Sequence, residues 1–172
     1  SSERRIVIRM LAKEGVDKQD DMAKLERLIA FALDKADERL TSMLLLPPML
    51  DYLVWSAMIR GRLAAKIYLQ HDGENVLFEF LPLDPKYIRY ALGSKGFQWL
   101  VNKSYRSAAA IREEYPDAED ANSEENNEVL DYWRFDNPGQ YTNLVIHNHE
   151  LLQKPEVHKV PSMPILYLPV PS

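Results

Sequence analysis

The chain has 172 residues, no cysteine and a formal net charge of −5, with 46% hydrophobic and 27% charged residues. This is ordinary globular material, enough for one domain or one lobe, and it excludes disulfides, cysteine-ligated zinc, iron–sulfur clusters and thiol catalysis. The longest uninterrupted apolar run, residues 43–50, holds eight residues including Pro47 and Pro48, whereas a bilayer-spanning helix needs about 20.

The chain opens on Ser1-Ser2 rather than Met and stops within a proline-rich stretch, so a fragment of a longer protein is expected. Ser2 is placed to cap a first helix that ends near Gly15. A second, long amphipathic helix starts near Asp20 or Asp21. Its apolar positions step by three and four through Met22, Leu25, Leu28/Ile29, Ala32/Leu33, Ala36, Leu40 and Met43/Leu44, which places them on one face. Lys24, Arg27, Asp34, Lys35, Asp37 and Glu38 take the other face. Pro47-Pro48 interrupts this helix. A third helix spans residues 50–59 and stops at Gly61.

The period then changes. Residues 62–69 and 76–81, joined through His71-Asp72-Gly73-Glu74-Asn75, read as a hairpin. Pro82 and Pro85 bracket a corner. Residues 86–92 and 97–101 form a second hairpin around Gly93-Ser94-Lys95-Gly96. A helix is expected over 104–115, capped by Ser104 and stopped by Pro116. An acidic loop, 116–128, follows it. A third strand pair, 128–135 and 141–146, turns at Asp136-Asn137-Pro138-Gly139. The tail holds five of the 11 prolines and reads as an extended or packed arm or a sheet-edge segment. Helices followed by antiparallel hairpins with one inserted helix define an α+β fold. The expected division is a helical segment, 1–61, and a hairpin region, 62–172, within one domain.

The negative charge is concentrated. Residues 113–137 carry ten acidic groups and one basic group, while the rest of the chain is close to neutral. Such a run reads as a solvated loop. It contains no glycine between residues 113 and 128, which speaks against a calcium loop. His147-Asn148-His149 is the tempting string for metal chemistry, because alternating imidazoles on a strand share a side and can chelate; Glu150 and His158 would add ligands. A polar turn between two strands is the plainer reading. Trp55, Trp99 and Trp133 with Tyr87, Tyr90, Tyr105 and Tyr132 are expected to pack in the core and at interfaces rather than stack on bases. No phosphate-binding glycine loop and no Gly-x-Ser-x-Gly elbow is present, so no cofactor is expected and nothing argues positively for an enzyme.

The order of segments resembles the portal proteins of tailed double-stranded DNA bacteriophages. The likeness is carried by the long helix reaching Met49-Leu50-Asp51-Tyr52 and by Gly61-Arg62-Leu63-Ala64-Ala65-Lys66-Ile67. It continues through Phe80-Leu81-Pro82-Leu83-Asp84-Pro85-Lys86-Tyr87-Ile88, through Leu92-Gly93-Ser94-Lys95-Gly96 leading to Trp99, and through Ala108-Ala109-Ala110-Ile111-Arg112-Glu113-Glu114-Tyr115-Pro116. Val129-Leu130-Asp131-Tyr132-Trp133 and Val160-Pro161-Ser162-Met163-Pro164-Ile165 complete it. The resemblance runs from about residue 20 to the end and corresponds to the N-terminal part of the portal wing.

What this resemblance implies is a structural subunit of a homo-oligomeric ring, typically a dodecamer. Such a ring sits at the capsid vertex of the virion, after assembly in the host cytoplasm. Its partners would be the capsid, the packaging motor and tail or adaptor proteins, with DNA passing through without specific binding and with no membrane. An acidic balance suits a wall along which DNA must slide. Charge complementarity then nominates Arg27, Lys35, Glu38 and Arg39 on the long helix as intersubunit contacts. It nominates Arg89 and Arg106, with Lys86 and Lys103, to meet a neighbour's acidic loop. The competing expectations are a metal-dependent nucleic-acid-processing domain using His147 and His149, and another virion adaptor module.

Overall fold

A computed structural model describes residues 19–42, 45–72, 75–94, 96–116 and 127–169. The expected first helix with its Ser2 cap and Gly15 end, the Met43/Leu44 step and most of the acidic loop lie outside the described residues, as do the side chains of Met22 and Leu25. The element order is α+β, with helices and two antiparallel sheets. The chain divides into two compact units, Ser1–Leu83 with Pro164–Ser172, and Asp84–Met163. The helices Gln19–Ser42 and Met49–Arg60 thus share a unit with the first hairpin and the tail strand.

In the first unit, α1 (Gln19–Ser42) and α2 (Met49–Arg60) accompany the strands β1 (Arg62–Asp72) and β2 (Asn75–Pro82) and the tail strand β8 (Ile165–Pro169) in a sheet of order β2-β1-β8. Ala36 and Leu40 of α1, Met49 at the start of α2, Ala65 of β1 and Phe80 of β2 form the buried core, with Leu33, Leu46, Leu53 and Ile67 against it. The small Ala65, with no exposed surface, lets the helices approach the strand closely. The apolar stripe of α1 is narrower than its sequence suggests: Leu28 is 62% exposed. Asp37, expected on the charged face, instead accepts a hydrogen bond from the backbone N–H of Met49 at 2.5 Å. It thereby satisfies one of the free donors at the start of α2. Gly61 ends α2 in the left-handed region (φ 62°), with its N–H bonded to the Ala57 carbonyl. The tail takes the sheet-edge option, β8 pairing antiparallel with β1 from Arg62↔Pro169 to Lys66↔Ile165.

The second unit is a five-stranded meander of order β3-β4-β5-β6-β7. Its strands are β3 (Ile88–Gly93), β4 (Gly96–Arg106), β5 (Asn127–Asn137), β6 (Gln140–His147) and β7 (Glu150–His158). The strand expected from residue 86 begins at Ile88, because Pro85–Tyr87 form a 3-10 turn capped by Asp84, whose carboxylate accepts from the Lys86 N–H at 2.9 Å. The helix expected over 104–115 is corrected to α3 (Ala108–Glu114). Residues 102–106 instead continue β4, paired from Asn102↔Asp131 to Arg106↔Asn127. Ladder bonds to β5 outweigh the local helix signal there, and Ser107 rather than Ser104 is the cap, accepting from the Ala110 N–H at 3.2 Å. For the same reason Asn127 and Glu128 belong to β5 and not to the loop.

Cross-strand register sorts this sheet into two faces. One face carries Leu100, Val129, Trp133, Val145 and His147, all buried. There α3 lays Ala108 and Ile111 against Val129 and Val145. The opposite face carries Arg89, Val101 and Lys103 beside Glu128, Leu130 and Tyr132. At the edge, β7 contains Lys154 and Pro155.

Candidate functional site

On the face opposite α3, a cleft of about 360 Å³ is lined by Lys86, Tyr87, Arg89, Val101, Lys103, Glu128 and Leu130. The 3-10 turn places Lys86 and Tyr87 at its rim, and strand alternation sends Arg89, Val101 and Lys103 into it from β3 and β4. Val101 and Leu130 give it an apolar floor. Tyr87 and Tyr105 meet edge to face at 6.0 Å, and each ring carries a lysine: Lys86 Nζ lies 5.3 Å from the Tyr87 centroid and Lys103 Nζ 5.9 Å from that of Tyr105.

Arg89 Nη1 donates to the carbonyls of Lys86 and Ile88 at 2.9 and 3.0 Å, which fixes the guanidinium at the mouth. Lys103 pairs with Glu128 at 3.0 Å, and this hydrogen bond raises the Lys103 pKa above its ordinary value. Among the described residues, neither Lys86 nor Arg89 faces a carboxylate within ion-pair distance. The cleft thus holds three cations against one carboxylate.

The charge-based contacts are distributed differently from the sequence expectation. Lys86, Arg89 and Lys103 come together, whereas Arg106 does not join them. It lies on the α3 side of β4 and pairs with Glu114 of its own chain. On α1, Arg27 is exposed, Lys35 and Glu38 pair with each other at 2.6 Å, and Arg39 pairs with Glu79 of β2. The Lys35 hydrogen bond lowers the Glu38 pKa.

The histidines are not assembled. Asn148 and His149 form a tight turn with φ of 47° and 70°, the left-handed pair typical of a type I′ hairpin. That turn removes the strand alternation which would have aligned His147 with His149. His147 is buried, with Nδ1 2.9 Å from the Glu128 carbonyl. Glu150 and His158 stand at opposite ends of β7, roughly 26 Å apart along an extended strand. His158 packs on the Trp133 ring at 5.1 Å. Among the described residues no group of three or more His, Cys, Asp or Glu side chains is placed to hold a metal.

A second surface escaped the sequence reading. Val54, Trp55, Met58 and Ile59 share the outward face of α2 and are all exposed, Met58 at 79%. Tyr52 and Arg60 flank the Trp55 ring at 6.2 and 5.9 Å. The available signal was composition: residues 49–60 carry more apolar side chains than one buried face can use.

No protein-family model matches the chain, and no curated protein matches it.

Proposed function

We propose that the chain is the wing portion of a portal-type ring subunit, a structural element that acts by tiling around an axis. Its role would be in head assembly, DNA passage and head–tail joining. The observation that carries this reading is the outward stripe of α2. Four large apolar side chains on one exposed helix face, with a tryptophan among them, are what a protein–protein contact uses. Two further features support it: the order of segments shared with portal proteins, and a basic cleft on a chain whose acidic groups are concentrated elsewhere. Exposed patches of different character on one chain suit heterologous contacts, which close into rings.

Native mass spectrometry of the protein tests the reading. One closed oligomer is expected, and Trp55→Glu with Met58→Glu should dissociate it. A monomer or dimer under all salt conditions counts against it.

A further inference from the structure

We propose that the cleft lined by Lys86, Arg89 and Lys103 binds the acidic stretch 113–128 of a second copy of this chain. The choice of a second copy rests on the ring reading; the choice of carboxylates rests on the cleft itself. Arg89 is held by two backbone carbonyls, so its remaining donors can meet an incoming oxyanion with little loss of side-chain freedom. Lys86 is steadied over the Tyr87 ring and adds a second positive charge beside it. Val101 and Leu130 on the floor exclude water from one side and strengthen the attraction.

The observations favour a peptide over a nucleic acid. The tyrosine rings that would stack a base are engaged by lysines and by each other. The stretch 113–128 contains eight acidic residues and no Lys or Arg. The described ends of this stretch are held within their own chain, Glu114 by Arg106 and Glu128 by Lys103. A basic cleft and an acidic stretch on different parts of one chain provide the two unlike halves of a head-to-tail contact.

The test is fluorescence anisotropy of a labelled peptide of residues 113–128 titrated with the chain. Saturable, salt-sensitive binding is expected. Lys86→Glu with Arg89→Glu should weaken it at least about tenfold, and Lys154→Glu on β7 should leave it unchanged. Lys86→Ala with Arg89→Ala replaces the reversal should the latter impair folding. Equal binding by wild type and cleft variants overturns the proposal. So does a labelled oligothymidylate that binds more tightly than the peptide through the same residues.

Mixing separates this proposal from the ring reading. Full-length protein with the cleft reversed, and full-length protein with Asp117→Lys, Glu119→Lys and Glu124→Lys, should each fail to form the wild-type oligomer and should form it when mixed. Normal oligomers from each alone overturn the cleft contact and leave the ring. Peptide binding by a protein that stays monomeric overturns the ring, and with it the second copy as occupant.

Discussion

Asn143 on β6 donates its side-chain amide to Asp131 on β5 at 2.7 Å, with both residues buried beneath the same face of the sheet. The two are diagonal neighbours, since Asp131 stands opposite Val145 and Asn143 opposite Trp133. Asn143 also donates to the Tyr132 carbonyl at 3.0 Å and lies 3.4 Å from Gln153. A carboxylate in such a place is tolerated because hydrogen bonds replace the water it has lost. Asn143→Leu removes a charge-assisted bond while leaving Asp131 buried. A loss of about 2–3 kcal/mol in urea unfolding is expected. Replacing Asp131 as well, by Leu, should recover part of it; a double variant less stable than Asn143→Leu alone contradicts this account.

Ile111 has no exposed surface and packs α3 onto Val129 and Val145. Ile111→Ala should cost about 3 kcal/mol through lost transfer energy and the cavity left behind. A change under about 1 kcal/mol in the same unfolding measurement would mean that α3 is not held by this contact.

Gly61 caps α2 at φ 62°, and an added Cβ would meet nothing within 4 Å. The cost of a side chain there is therefore one of backbone conformation alone. Gly61→Ala should destabilise by about 1 kcal/mol and Gly61→Asn by less, because Asn enters the left-handed region more readily. The order of the two urea midpoints is the readout.

Tyr115 follows α3 half-buried, its hydroxyl donating to Glu114 at 2.9 Å. Burial pushes its pKa above the ordinary value, and the Glu114 carboxylate pushes in the same direction. The folded state thus favours the neutral phenol. This stabilisation is complete below about pH 10 and is lost as pH rises from there through the folded value. Between about pH 8 and about pH 11, Tyr115→Phe should lose less stability than wild type in urea denaturation. Equal slopes would show that the hydroxyl does not titrate differently in the folded chain.

The elements most legible in the sequence were those whose local signals agree with their surroundings. The three- and four-residue steps of α1, the Gly61 stop and the Asn137-Pro138-Gly139 turn needed no knowledge of distant partners. The extent of β4 was not legible. Ser104 followed by an alanine-rich stretch imitates a helix start, and only pairing with residues 127–131 keeps residues 102–106 extended. The basic cluster was legible as composition but not as geometry. Lys103 and Arg106 are near neighbours in sequence, yet strand alternation puts them on opposite faces. The outward stripe of α2 was missed because apolar character in a helix reads by default as core.

β7 ends the five-stranded sheet at Lys154 and Pro155. Proline offers no N–H to a further strand, and a lysine there must give up water for one to approach. Growth of the sheet from one molecule into the next is blocked along that border. A contact made on that border has to run through side chains, so this end of the sheet does not template the strands of a second molecule.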